Sequence, residues 1–430
     1  MASASNNRAN VNNNEKAKPS LLAIIMPGFL VAATGVGAGD LATASFTGSQ
    51  LGVAILWAVV VGGLLKFVLT EGLARWQLVT GQTLLEGVAH RLGRIAGLFF
   101  LPYLLLWSFF VGSALISACG ITLHAMFPVF DDAFTGKWVF GVASSISGLL
   151  LVFIGGFALF EKVMAVSVGV MFAVVLVMAG ILWPGADAVL SGLFVPSIPD
   201  AQGAGVTWTL ALIGGVGGTL TILCYGYWIR EKGRLQEKDI GICRIDLAVG
   251  YSMTVLFGLS MVIIGSTIEI EGRGANLLIV LAEKLEEPLG IYGRWLFLVG
   301  AFSAIFSSLL GVWQAVPYLF ADVWRLFVQL SPRLDSSSNT TDMSSSKPYR
   351  WFLIALAVIP IAGLFISFKE VQKLYAVIGA MFIPMLAVVL LILNGRRAWV
   401  GEFVNKPITI MALLSALVFF GVMAGLKWFS

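Results

Sequence analysis

The chain is predicted to fold as an all-α polytopic membrane protein with about eleven transmembrane helices. They form two inverted sets of five, with the first and sixth helices unwound and the N-terminus inside. Three observations carry this expectation. Of 430 residues, 58% are hydrophobic and only 12% charged, and the mean hydropathy is +0.93, far from the roughly one quarter of charged residues in soluble domains. Apolar windows of about twenty residues follow one another along nearly the whole chain. Finally, glycine clusters interrupt the first and the sixth of these windows, at matching places in two successive sets of five.

The first element is the stretch from Met26 to Gly52. It starts as an apolar helix, meets Gly35, Gly37 and Gly39 on alternate positions, and carries Asp40 directly after them. Glycine weakens a helix, and each N–H or C=O freed at membrane depth needs a partner, so such a break is tolerated where it is buried in protein or faces a cavity. A carboxylate beside the break marks a functional site by default. The plainer reading leaves Asp40 in the interface and makes the glycines a packing surface. GVGAG has the outline of a dinucleotide fingerprint, but no strand precedes it.

A polar, Asn-rich, disordered cytoplasmic tail is expected over 1–20, and the first five-helix repeat over 21–183, with windows near 21–48, 51–76, 95–127, 138–158 and 163–183. An extracytoplasmic loop over 184–206 leads into the second repeat, 207–395, with windows near 207–229, 243–268, 291–325, 351–367 and 373–394. Within it, the Ser-rich stretch 331–348 reads as a flexible cytoplasmic linker. Residues 396–430 supply a loop and an eleventh helix near 407–428. With the N-terminus inside, the cytoplasmic loops collect Arg91 and Arg94, then Arg230, Lys232 and Arg234, then Arg333 and Lys347, then Arg396 and Arg397. The opposite loops hold no Lys or Arg over 184–206 and are mainly acidic over 269–290, which satisfies the positive-inside rule. In the sixth window Gly214, Gly215, Gly217 and Gly218 cluster at the centre. Five helices per set is an odd number, so the second set enters the membrane inverted, and the two broken helices cross near the midplane to build the substrate site.

The segments PGFLVAATGVGAGDLATASFTGSQLG (27–52), EGLARWQLVTGQTLLEGV (71–88), GGFALFEKV (155–163) and CRIDLAVGYSMT (243–254) together resemble the Nramp family of divalent metal-ion transporters. The similarity runs from about residue 21 to 395 and is strongest over the first two helices. It implies a LeuT-like inverted-repeat transporter that carries divalent metals inward by alternating access, usually with protons. The departures are informative. Where the family places Asp-Pro-Gly-Asn, this chain has Gly37, Ala38, Gly39 and Asp40; where it places Met-Pro-His, this chain has Thr221, Ile222 and Leu223. A thioether suits soft transition metals, whereas carboxylate, carbonyl, hydroxyl and water suit hard ions such as Mg²⁺. The third-helix acid linked to proton movement is also missing, since Pro102 to Pro128 holds no Asp or Glu and offers only Tyr103, Cys119 and His124.

The candidate site is therefore Asp40 as the charged metal ligand, with carbonyls at Gly37, Ala38 and Leu220 and the Thr221 hydroxyl, on backbone loosened by Gly35, Gly39, Gly217 and Gly218. Lys66, far from either end of its helix, and Tyr225 are possible accessories. The Lys66 ammonium either runs along the bundle to an interface or neutralises Asp40. Glu71 and Arg75 have the i,i+4 order of a structural ion pair, Asp246 and Asp322 are expected to be solvated or paired with Arg244 and Arg325, and the tryptophans, Trp313 among them, are expected mostly in an interfacial belt.

Composition narrows the function classes. A net charge of +4 is set by topology and does not point to nucleic acid. Three cysteines and two histidines make neither a disulfide framework nor a zinc site. No cofactor is expected, and no paired acid and base marks an enzyme. The partners are a small cation and the lipid bilayer, and the place is a cell membrane. The leading expectation is a transporter of a hard divalent ion with weak or no proton coupling. A carrier of a small amino acid or amine, and a non-transporting receptor or scaffold, stay open beside it.

Overall fold

In the computed structural model, residues 27–31, 36–268, 277–328 and 343–429 are described. The expected tail, Gly35, residues 269–276 of the acidic loop and most of the Ser-rich linker lie outside them. After a helical turn at 27–31, a π-helical segment Val36–Thr43 runs into α1 (Ala44–Leu51). A bend at Gly52, where φ is +66°, leads to α2 (Leu56–Thr80), α3 (Leu84–Arg91) and α4 (Arg94–Met126). Next come α5 (Ala133–Ile181), α6 (Ala186–Phe194), α7 (Gly205–Gly215) and α8 (Tyr225–Glu231). The last part holds α9 (Ile240–Gly265), α10 (Leu277–Val323), α11 (Lys347–Val358), α12 (Phe368–Ala380), α13 (Phe382–Leu393), α14 (Arg397–Val400) and α15 (Pro407–Phe429).

Among the described residues, nine helices are long and apolar enough to cross a membrane, or ten if Gly169–Ile181 and Ala186–Phe194, bent by 116°, form one span. One of the nine, Asp40–Thr80, takes in the end of the first sequence window and the whole of the second. The eleven windows thus fall on helix wherever the chain is described, apart from a few terminal residues, residues 216–219 in the middle of the sixth and a turn at Met381 in the tenth.

Three details differ from the sequence expectation. The fourth and fifth windows lie on one continuous helix, α5, of 49 residues; residues 159–162 between them are Leu, Phe, Glu and Lys, which contain no turn former. The loop at 184–206 contains α6, whose Gly192 lies so close to Val53 that a Cβ would fall 2.0 Å from its carbonyl oxygen. The linker ends before 348, because the Ser346 hydroxyl accepts from the Tyr349 N–H and Pro348 occupies the first turn of α11.

Two layers result. The first broken helix, α2, α7 and α9 pack together, while α4, α5, α10 and α11 form a second group, and the π-helical segment packs on both α10 and α9. Apolar side chains gain little by leaving lipid for protein, so close backbone approach and interhelical hydrogen bonds must hold such helices together. Both are present. A Cβ on Gly48 would lie 2.3 Å from the Val262 carbonyl oxygen, and one on Gly265 would lie 2.4 Å from that of Ser45, so α1 and α9 touch through glycine. Between helices, Asn394 Nδ2 donates to the Gly72 carbonyl at 2.8 Å, Ser145 to Ala357 at 2.7 Å and Tyr103 to Ile378 at 2.9 Å. Trp313, expected in the belt, is fully buried, and Gly112 and Gly148 leave it room.

Gly48→Ala is expected to cost about 1–3 kcal/mol, the range for overpacking a tight contact. Gly421→Ala, at a glycine with open space around its missing Cβ, serves as the near-neutral control. Ranked aggregation temperatures in detergent measure the difference.

Candidate ion-binding site at the paired helix breaks

The sixth window breaks where its glycines require it. Helix α7 stops at Gly215, and Gly217 and Gly218 have φ of +73° and +79°, a region costly for any side chain. The chain then makes a 3-10 turn, Leu220–Cys224, before α8 begins. Between the two half helices the carbonyls of Gly214, Val216 and Gly218 converge on the Lys66 ammonium from α2. Nζ donates to Gly214 O at 2.7 Å and also to Val216 O and Gly218 O.

Asp40 sits on the other break, inside the π-helical segment, and is fully buried. Its Oδ1 accepts from the Gly217 N–H at 3.0 Å, so the carboxylate of the first break is tied to the backbone of the sixth. Its Oδ2 is buried without a hydrogen-bond partner. A buried carboxylate oxygen with no donor is costly unless a charge or ligand meets it. The Lys66 ammonium and the phenols of Tyr251 and Tyr375 lie within reach of the Asp40 charge. Tyr251 exchanges a 2.7 Å hydrogen bond with Thr70, and Thr219, 1% exposed, packs against Gly379.

The structure places the sequence candidates unevenly. Asp40, Gly217, Gly218 and Lys66 come together; the Lys66 ammonium does not run to an interface but is held by carbonyls within reach of the Asp40 charge. Gly37, Ala38 and Gly39 lie on the same π-helical backbone as Asp40. Leu220 and Thr221 are buried one turn beyond the break, on the 3-10 turn. Tyr225 is not part of this cluster; its hydroxyl donates to Asp246 Oδ2 at 2.9 Å. Sequence reasoning missed the carbonyls of Gly214, Val216 and Gly218, together with Tyr251 and Tyr375. Tyr251 stood inside the quoted CRIDLAVGYSMT segment, whereas nothing local set Tyr375 apart.

A family model described as natural resistance-associated macrophage protein-like, Nramp, matches residues 28–429. The chain belongs to the Nramp family. Among its relatives, the divalent metal cation transporter MntH of Chromohalobacter salexigens is 23% identical over 449 aligned residues, covering 94% of this chain and 93% of MntH. A crystal structure of a mutant of the Eremococcus coleocola manganese transporter has a TM-score of 0.69 at 18% identity, covering 94% of this chain and 85% of that one. The structure of MhsT in complex with L-phenylalanine has a TM-score of 0.61 at 14% identity, covering 92% and 96%. These two share the LeuT fold with the present chain.

This Nramp chain carries two further buried polar clusters. In the first, Asp246 of α9 accepts from Arg234 Nη1 at 2.8 Å, from the Tyr225 hydroxyl and, through Oδ1, from the Gly28 N–H at 2.7 Å. The expected partner Arg244 instead reaches Glu71, which also holds Arg75. Residues two apart on a helix point to different faces, so Arg244 cannot meet Asp246. In the second, Asp322 takes Arg325 at 2.6 Å, as expected, but is fully buried and also accepts from Tyr227 and Thr83. Among the described residues no group of three or more His, Cys, Asp or Glu could hold a metal ion.

Proposed function

We propose that this chain carries a small hard divalent cation, Mg²⁺ in preference to Mn²⁺, across the membrane by alternating access at the paired helix breaks, with weak or no proton coupling. The observation that carries the reading is the Asp40 carboxylate, fully buried, with Oδ1 fixed by Gly217 of the opposite break and Oδ2 left without a hydrogen-bond partner. Family membership supports transport, and the relatives' descriptions as divalent metal cation and manganese transporters support a divalent cargo.

The preference for a hard ion follows from the donors near Asp40, which are backbone carbonyls, tyrosine hydroxyls and threonine. Oxygen ligands of that kind suit Mg²⁺. Thr221, Ile222 and Leu223 offer no thioether or imidazole. The weak coupling follows from α4, which has no carboxylate between Pro102 and Pro128, while Tyr103 donates to the Ile378 carbonyl and Cys119 is fully buried.

A second reading is favoured by one observation. Lys66 and Asp40 together carry no net charge, which also suits a zwitterion such as a small amino acid. The test is influx into proteoliposomes with the internal pH recorded. The proposal expects Mg²⁺ uptake above Mn²⁺ uptake at equal concentration, with no internal acidification. Uptake accompanied by stoichiometric acidification removes the uncoupled mechanism. Thermal stabilisation by an amino acid and by neither ion favours the second reading.

A further inference from the structure

We propose that the Lys66 ammonium is a tethered cation that occupies the carbonyl cradle of the sixth-helix break in the unloaded protein, and that a transported cation enters by displacing it. This inference builds on the cation reading above and adds a competing ligand that the chain itself supplies.

The cradle has the makings of a cation site without the lysine. The C-terminal end of a half helix presents unpaired carbonyls and the negative end of its dipole, the arrangement that receives cations in broken-helix transporters. Here that end is the C-terminus of α7, where the Gly214 carbonyl and those of Val216 and Gly218 just beyond it all turn to one point. The point is filled by an ammonium whose residue is fully buried. A neutral amine has only two hydrogens to give, whereas an ammonium has three donors, and three acceptors are present. The geometry therefore belongs to the charged form. Its three hydrogens are spent on carbonyls, and it faces Asp40 through space.

Charge arithmetic gives the consequence. With Lys66 in place, Asp40 and the ammonium sum to zero, and an entering divalent ion would leave the buried site with two uncompensated positive charges, which a low-dielectric interior disfavours. If the ammonium withdraws along its flexible four-carbon stem, the same ion meets three carbonyls and a carboxylate. Withdrawal thus sets the affinity. The seated ammonium also supplies an empty state that is chemically complete, since the carbonyls keep hydrogen-bond partners when no ion is bound.

The experiment compares purified full-length wild type with Lys66→Met and Lys66→Gln, using MgCl₂ alone as the probe and NaCl at matched ionic strength as the control. The readout is the Mg²⁺ concentration at half-maximal thermal stabilisation, paired with Mg²⁺ influx in proteoliposomes. The proposal expects the midpoint to fall at least tenfold in whichever variants fold. An unchanged or raised midpoint in a folded variant overturns it. Should both variants fail to fold, wild-type protein is treated with an amine-reactive reagent and Lys66 modification followed by mass spectrometry across an MgCl₂ titration. Modification that rises with Mg²⁺ supports displacement, and modification independent of Mg²⁺ overturns it. Wild-type influx with an unshifted variant midpoint leaves the cation reading standing and removes the tethered lysine. A shifted midpoint with no influx in any form does the reverse.

Discussion

Asp40→Ala is expected to reduce Mg²⁺ influx to the level of empty vesicles while leaving protein that still purifies as a folded species. Among the described residues the carboxylate is the only acidic side chain placed at the paired breaks, and its Oδ1 is what ties the first broken helix to Gly217 of the sixth. Removing it takes away both the charged ligand and the tie. The same change leaves the buried Lys66 ammonium without a counter-charge, and removing one partner from a buried pair costs about 3–5 kcal/mol. The carbonyl cradle keeps hydrogen-bonding that ammonium, so the lower end of the range is expected. Stability and transport can then be separated by the double variant. Asp40→Ala with Lys66→Met should recover about 1–3 kcal/mol of that loss through pairwise coupling, yet remain without influx. Influx that survives in Asp40→Ala would move the site elsewhere.

Arg234→Leu is expected to be the most destabilising change outside the breaks, by about 3–5 kcal/mol. Asp246 is fully buried and keeps only the Tyr225 hydroxyl and the Gly28 N–H once the guanidinium is gone. The consequence reaches further than stability. Gly28 lies in the helical turn at 27–31 and sits against α9 so closely that a Cβ on it would lie 2.5 Å from Asp246. The Arg234–Asp246 pair thereby holds the helical turn at 27–31 against α9. Cys243, 2% exposed and 3.8 Å from Arg234 Nη1, reports on that contact, while Cys119 and Cys224 are fully buried. Maleimide labelling at Cys243 should be slow in wild type and at least tenfold faster in Arg234→Leu. Equal labelling in the two forms would show that the pair does not hold this end of the helix closed.

The sequence by itself determined the class of the protein and the positions of its helices, and it singled out Asp40, a carboxylate that the structure buries at the first helix break. Membrane spans are legible because twenty apolar residues have few other uses, and the breaks are legible because clustered glycines at membrane depth have few other reasons. Asp40 followed from the cost of a buried carboxylate. The resemblance carried by the 27–52 and 71–88 segments pointed to the family to which the chain belongs.

Tertiary structure alone decided the rest. Lys66 is separated from Gly214, Val216 and Gly218 by about 150 positions, and no local pattern says which carbonyls a lysine in mid-helix will meet. Asp246 chose Arg234 over the nearer Arg244 because helical geometry turns residues two apart to different faces, while the bend between α8 and α9 brings Arg234 back. Tyr225 went to that same cluster instead of the breaks, for the same reason. Helix placement is a property of short windows along the chain, but the partner of a buried charge is set by which helices pack together, and that depends on glycine contacts such as Gly48 with Val262, which sequence spacing does not reveal.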